Sequence, residues 1–436
     1  MRRLLLALFL LLFLTSCSLI SSDETEPEAT EIAPSPTAVI TPTIEATLPA
    51  TEPAIPASQQ SLNIWVLTEI STQADSPGGT ILAEQLAAFE TNHPNVTLNI
   101  ESKAPSGQGD TLSYLRSGRE VAPSILPDLI LLPADSLSTA AAEELIYPLQ
   151  DYVSPEDITD LFPAANELSQ IDGQIYGYPF ALSNIGHMAY NPNVFTDTIP
   201  ITWDVYADRE QANFFFPAAG PSGAELALQL YFSAGGNILS EPGQPALEVE
   251  PLATALTFFS QGRDQGFLPS QTSNLTSLNE TWQAFINREA ASVQTVESQY
   301  QVERNSGIES DFAKLPGIEA PLTPLVKGWI WAISTPDPAR QTLAAELLTW
   351  LIAAPNIGDW SLAASKLPGR RSAFEQWPNN DPYLNFLQQE LEFADPYPVT
   401  ANTALLSLLS TAVFDVLTQA KPPLQAAEDT VAALQP

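Results

Sequence analysis

The sequence predicts an α/β protein built as two lobes, and three observations carry that expectation. A chain of 436 residues exceeds the size at which one hydrophobic core keeps growing, so two lobes are the expected solution. Its hydrophobic fraction of 44% is enough to build both. Between residues 62 and 101, a short apolar run, an amphipathic segment closed by proline and an alternating apolar run follow in order. Strand, helix, strand is the order that favours a parallel sheet.

The chain opens with MRRLLLALFLLLFLTSC, a basic start and an apolar run from Leu4 to Leu14. These are the proportions of a secretory signal, too short to span a bilayer comfortably. Leu14-Thr15-Ser16-Cys17 resembles the lipobox of bacterial lipoproteins, which implies cleavage before Cys17 and a diacylglycerol on its thiol. Acyl chains anchor firmly, at roughly 0.8 kcal/mol per buried CH₂. Residues 18–58 are rich in Thr, Pro, Ala and Glu and contain no Lys, Arg or aromatic residue. Such a segment cannot offset its chain entropy by burial, so it reads as a disordered spacer. The expected division is a signal peptide over 1–16 and a lipidated cysteine with its linker over 17–58.

LNIWVLTE (62–69) is the first continuous apolar run and suits a buried strand. In TILAEQLAAFETNHP, Leu82, Leu86 and Phe89 fall at helical spacing before a proline. Val96, Leu98 and Ile100 alternate as on a strand, and LPDLILLPADSL (126–137) gives another apolar strand with a helix start at Asp135 or Ser136. Asp172-Gly173 marks a turn between β-prone residues. Three helical stripes follow: Leu252, Leu256 and Phe259; Leu343, Leu347 and Trp350; Leu405, Leu409, Ala412 and Val416. No repeat of solenoid or propeller period is present, and the tail from Ala401 has no membrane-spanning run.

Charge excludes several functions. Asp+Glu 51 against Lys+Arg 16 gives a formal net charge of -35, which rules against nucleic acid and against adsorption to an anionic bilayer. The acidity suits a soluble, monomeric exported protein. One cysteine permits no internal disulfide, and two histidines do not make a zinc site; His93, before a proline, reads as a solvated helix end. Neither a metal nor a cofactor is expected. There is no G-x-S-x-G elbow, HExxH helix or phosphate-binding glycine loop. A glycosidase needs two carboxylates, but a chain so rich in acids always offers a pair, so that signal is empty and no catalysis is expected.

The order of the pieces resembles the extracellular solute-binding proteins of the maltose-binding type (family 1), the lipid-anchored receptors of ABC sugar importers. The matching stretches begin with LNIWV, LAEQLAAFETNHPNVTLNIE, LPDLILLPADSL and ELIYPLQDYV. They continue through DGQIYGYPFALSNIGHMAYNPNVF, TWDVY, TWQAFINREAASV and GWIWAIST to AAELLTWLIAA and LPGRRSAF. Two departures fall near the expected ligand site: the region after TWDVY is abbreviated, and NREAASVQTVESQY replaces the methionine-led, glycine-containing strand usual there. The resemblance implies a type II periplasmic-binding-protein fold whose lobes close around a ligand by hinge motion. The expected lobes are 59–183 with 316–365 and 184–315 with 366–436, with crossings near 180–186, 312–320 and 363–370. It also implies capture of a mono- or oligosaccharide outside the cytoplasm and delivery to the transmembrane permease subunits of an ABC transporter. A receptor of the same fold for another small solute or for a membrane sensor is the alternative, and a secreted glycan hydrolase a more distant one.

A neutral sugar offers apolar C–H faces to aromatic rings and hydroxyls to carboxylates, amides and Arg. In open parallel sheets such ligands lie beyond the carboxyl ends of the strands. Residues placed there are Trp65 and Glu69 from the first strand, Asp135 after LILLP, and Tyr178, Ser183 and Asn184 at the first crossing. Glu297, Ser298 and Tyr300 come from the second lobe, and Trp329 and Trp331 from the strand after the second crossing. Trp65, inside a buried strand, suits packing better than ligand contact, while Glu69 equally suits a loop carboxylate and Asp135 a helix N-cap. Trp329 and Trp331 share a strand face and so point the same way; together they are expected to form a stacking platform. Trp203 and Trp282 read as core. Arg370 and Arg371 suit either an anionic ligand or acidic partners on the protein.

Overall fold

The structure, a computed structural model, describes residues 59–72, 75–107, 109–121, 125–209, 211–241 and 244–434. The signal segment, Cys17 and the spacer lie outside the described residues.

Strand β1 (Gln60–Leu67), helix α1 (Pro77–Asn92) and strand β2 (Val96–Lys103) form the unit expected from the apolar pattern. The two strands pair in parallel from Gln60 opposite Val96 to Leu67 opposite Lys103. α1 starts where Ser76 accepts the Gly79 N–H and Pro77 takes the first helical position, both ordinary N-terminal signals. Its Leu82, Leu86 and Phe89 are buried. α2 (Thr111–Val121) leads to β3 (Leu129–Pro133), parallel to β1. Asp172 and Gly173 turn a short hairpin with φ of 52° and 77°, a left-handed pair that glycine adopts freely and Asp tolerates.

β4 (Tyr178–Ser183) joins the first sheet, and β5 (Gly186–Tyr190) opens a second. The chain therefore changes sheets at 184–185. There follow β6 (Phe214–Phe215), α3 (Pro221–Ser233), α4 (Val249–Gln265), β7 (Ser292–Val296), α5 (Glu297–Glu303) and β8 (Asp311–Ala313). The second sheet has the order β8-β5-β7-β6. Residues 314–324 carry the chain back to β9 (Leu325–Ile333), which inserts antiparallel between β3 and β4. The larger sheet is thus mixed rather than parallel throughout: β9 enters at the edge where β4 leaves, so it must run the opposite way.

α6 (Pro338–Ile352), α7 (Ala354–Ala364), β10 (Leu367–Pro368), α8 (Pro382–Phe393) and β11 (Asp395–Pro396) come next. β10 pairs with β4 and β11 with β9, so the larger sheet has seven strands, β10-β4-β9-β3-β1-β2 with β11 beside β9. The third passage is later than the expected 363–370. Leu367 and Pro368 still pair with Leu182 and Ala181, and only α9 (Thr403–Leu417) and α10 (Pro423–Leu434) join the apolar cluster of α3 and α4.

Three clusters fill the interior. One lies under α1, α6 and α7 and continues through the crossing to Ile185, Val293, Tyr300 and Tyr383. The second includes the expected stripes Leu252, Leu256, Phe259 and Leu405, Leu409, Ala412, Val416, with Trp203. The third covers the opposite face of the larger sheet and takes in Trp65, Ile130, Leu132 and Ile330. Trp282 is buried in the first cluster, so both tryptophans read as core are core. His93 ends α1, half-buried, with its ring stacked on Phe89 at 4.0 Å.

Candidate functional site

β1, β2, β3 and β4 run one way and β9 and β10 the other. Their polar ends therefore gather along one edge of the larger sheet, the edge from which the chain leaves for the second sheet. Along it stand Glu69 after β1, Lys103 closing β2, Asp135 after β3, Ser183 closing β4, Lys327 early in β9 and Lys366 just before β10. Glu297 after β7 and Lys314 after β8 stand at the matching edge of the second sheet, because Val296 pairs with Gly186 and Ala313 with Met188.

Ser183 sits between two lysines. Lys327 is its register partner in β9, and on the other side Leu367 pairs with Leu182, which places Lys366 next to Ser183. Trp329 lies two residues further along β9, opposite Ala181 and Pro133. The Lys366 ammonium stands over the Trp329 ring, 4.6 Å from its centroid. Lys327 pairs with Glu225 of α3 at 2.6 Å and covers the Tyr397 ring at 4.3 Å. That ion pair ties β9 to α3, and the hydrogen bond from Gln229 Nε2 to the Thr323 carbonyl at 3.0 Å ties α3 to the segment that leads into β9.

Several sequence-derived expectations change against this geometry. Trp329 and Trp331 do share a face, and both belong to the cluster under α1, α6 and α7. Depth separates them: Trp331 is 1% exposed and packs edge-on against Phe180 at 5.7 Å, whereas Trp329 is half-buried at the rim. The two-tryptophan platform thus reduces to one ring. The register of β9 against β4 also skips Phe180 between the two indoles, a bulge that bends the strand there. Trp65, Tyr178 and Tyr300 are likewise sealed in the core, too deep to meet a ligand. Trp65 packs edge-on against Tyr114 under Lys103, and the Tyr178 hydroxyl donates to the Asp157 carbonyl at 3.3 Å.

Glu297 is a brace at the crossing. It is 0% exposed, and its Oε2 accepts the Ile185 N–H at 2.8 Å. As the first residue of α5 it turns back toward the crossing chain, and burial pushes its carboxyl above the usual carboxylate range. Asn184 has φ 76°, which Asn adopts more readily than most residues, and its Nδ2 donates to the Leu325 carbonyl at 3.0 Å. It ties the first crossing to the second. Glu69 and Asp135 are exposed, and Ser183 and Ser298 half-buried. Asp135 caps no helix; Ser136 donates to its carboxylate at 3.2 Å.

His187, buried beside this brace, contacts the Ile185 carbonyl through Nδ1 at 3.0 Å and the Tyr383 hydroxyl through Nε2 at 3.3 Å. Burial lowers its pKa to about 4. In the unfolded chain its pKa returns toward 6.5, so between pH 6.5 and 4 the unfolded state binds the extra proton. The stability this histidine lends above pH 6.5 is lost as pH falls toward 4, at a slope approaching about 1.4 kcal/mol per pH unit. Protonation of Glu297 acts in the opposite sense over its own range. His187→Gln is expected to flatten the acid limb of a urea-unfolding series; equal slopes in both proteins would contradict this assignment.

Four features escaped sequence reasoning: Lys327, Lys366, Glu225 and Tyr397. The available signal was scarcity. The chain has only five lysines, and four of them, Lys103, Lys314, Lys327 and Lys366, stand at the facing edges, each over an aromatic ring. Arg370 pairs with Asp157 and Asp160, and Arg371 with Glu392. Both thus answer acids of the protein. A cavity of about 470 Å³ lined by Asp160, Arg371, Ser372 and Phe374 lies past the far end of β10 from Lys366. Among the described residues no group of three or more His, Cys, Asp and Glu could hold a metal ion, and no helix is long and apolar enough to cross a membrane.

Residues 84–384 match the sequence profile of a family described as bacterial extracellular solute-binding protein. No curated protein matches the sequence. Among solved structures, the sugar-binding protein MalE from Xanthomonas citri aligns with a TM-score of 0.71 at 17% identity, over 86% of this chain and 96% of that one. The cyclic alpha-maltosyl-1,6-maltose binding protein from Arthrobacter globiformis aligns at 0.68 and 19%, over 86% and 98%. The GacH receptor of Streptomyces glaucescens, solved unliganded and with acarbose, aligns at 0.63 and 16%, over 86% and 98%. These likenesses show the fold, the two-lobed α/β arrangement of maltose-binding proteins.

Proposed function

The chain belongs to the bacterial extracellular solute-binding protein family, and from that premise we propose that it captures a carbohydrate between its two sheets and releases it unaltered to an ABC transporter. The family is one of binding proteins that work outside the cytoplasm. What supports a carbohydrate is the gathering of a half-buried indole, hydroxyls, ammonium groups and carboxylates on facing sheet edges. Trp329, Ser183 and Lys327 come from the larger sheet, Lys366 from just before its strand β10, and Ser298 from the start of α5, which follows β7 of the smaller. Such a set offers one apolar face and many hydrogen-bonding groups. Glu69 and Asp135 add two exposed carboxylates on the same edge. The solved relatives named for sugars lend the same direction.

The lipid on Cys17 holds the protein to the membrane surface, the spacer over 18–58 gives it reach, and it works as a monomer facing the permease subunits. Cys17→Ser is expected to abolish acylation, so that the protein is found in the medium or retains its signal; an unchanged membrane fraction overturns the anchor.

A thermal-shift series against mono- and oligosaccharides tests the ligand class. A true ligand at 100 times its Kd stabilises the fold by about 2.7 kcal/mol and is recovered intact. Shifts by amino acids or polyamines alone overturn the sugar reading. Trp329→Ala should weaken the sugar that binds by about 1 kcal/mol, roughly fivefold in Kd. Unchanged affinity by calorimetry returns Trp329 to packing.

A further inference from the structure

Lys366 is set apart from the other cations of this protein. Among the described residues, every Lys and Arg except Lys366 and Arg288 lies within 4.0 Å of a carboxylate. Arg288 is exposed to solvent and needs no partner. Lys366 is half-buried, at the end of α7, in a chain with 51 acidic residues. What lies near its ammonium is the Trp329 ring. Lys327 is engaged with Glu225; the buried Glu297, whose Oε2 accepts the Ile185 N–H, feels the charge of Lys366 but does not come within ion-pair distance of it. Next to Lys366 in the sheet, the Ser183 hydroxyl makes no hydrogen bond among the described residues.

The acids of the same edge lie at a distance. Asp135 follows β3 and Glu69 follows β1, which are three and four strands away from β10 in the sheet order. At a strand spacing of ~4.8 Å, that is about 14–19 Å. Charge is therefore sorted along this edge of the larger sheet, with a cation that has no carboxylate within 4.0 Å among the described residues at one end and the exposed carboxylates Glu69 and Asp135 at the other.

The ammonium also covers one face of the Trp329 indole, where a sugar stacking on that face would meet it. A neutral guest must displace it and gains no ionic contact in exchange. A guest carrying its own negative charge draws the ammonium off the ring and leaves the indole free for stacking.

We infer that the captured carbohydrate carries a carboxylate, as a uronic acid does, and that Lys366 is the residue that reads it. The inference rests on the proposed carbohydrate function and narrows it. A carboxylate suits a single ammonium better than a phosphate monoester, whose second charge would meet no second unpaired cation on this edge among the described residues.

The test is calorimetry on the full-length protein with matched probes: galactose, galacturonate, digalacturonate, glucose, glucuronate and glucose 6-phosphate. Uronates are expected to bind roughly ten- to a hundredfold tighter than their neutral counterparts, with a preference that shrinks as salt rises. Lys366→Met should abolish the preference while leaving the melting temperature without ligand close to the parent value. Neutral sugars binding as well as uronates, or a preference that survives Lys366→Met, overturns the inference and leaves the carbohydrate reading standing. Selection of glucose 6-phosphate overturns the carboxylate assignment. Failure of every sugar, neutral and acidic, overturns the carbohydrate reading and this inference with it.

Discussion

Replacing Trp331 with alanine is expected to lower the free energy of unfolding by about 3–5 kcal/mol, the range for deleting a large aromatic from a packed core. Trp331 is 1% exposed and sits on β9 in mid-sheet, paired with Leu131 on one side and Tyr178 on the other. Its ring packs against Phe180, which in turn lies 4.2 Å from Trp360 of α7. Removing it opens a void walled by sheet and helix, neither of which collapses readily. The indole N–H has no hydrogen-bond partner among the described residues, so dispersion and burial supply the contribution. Trp329→Ala, two residues away and half-exposed, should cost below about 1 kcal/mol of stability. Urea unfolding of both variants separates the two roles, and a Trp331→Ala loss under about 1 kcal/mol would contradict the assignment of Trp331 to the core.

Asp128→Ala is the second large effect, with an expected loss of about 3–5 kcal/mol. The carboxylate is 2% exposed. It receives Arg340 Nε at 2.6 Å and Nη2 at 2.5 Å, and its Oδ2 also accepts the Asn63 N–H at 2.8 Å. Its backbone accepts the Ser334 N–H and donates to Asn63. One residue thus fastens β1, the end of β9 and α6 together. Removing it leaves a backbone N–H without its acceptor and a guanidinium without its counter-ion. Arg340 keeps about a third of its side chain in solvent and can rehydrate, which places the loss toward the lower end. A change in urea midpoint with an unchanged m-value is expected; stability within about 0.5 kcal/mol of the parent would show that the bidentate pair contributes little.

The fold was legible where its information is local. The strand–helix–strand start, the helical stripes and the Asp172-Gly173 turn each depend on spacing or backbone preference within a few residues, and all three appear at the expected places. The third passage between sheets was not legible because β10 has two residues, too few for any period to register. The site was harder. Equal periodicity gave Trp329 and Trp331 equal standing, yet position along the strand decides which one is covered. Glu297 read as a ligand carboxylate because its inward turn is set by the crossing at 184–185, over a hundred residues earlier in sequence. The pairing of Lys366 with Trp329, and of Lys327 with Glu225, joins distant segments in the same way. Charged residues over aromatic rings leave no pattern that spacing can reveal.

In the proposed function a carbohydrate binds between the polar edges of the two sheets and leaves chemically unchanged. A crystal structure of the protein soaked or grown with the sugar that raises its melting temperature decides the matter. Intact ligand is expected in contact with Trp329, Ser183 and Lys366 on one side and Ser298 on the other. Ligand seated elsewhere, such as the cavity by Asp160 and Arg371, or a cleaved product at the sheet edges, would contradict it.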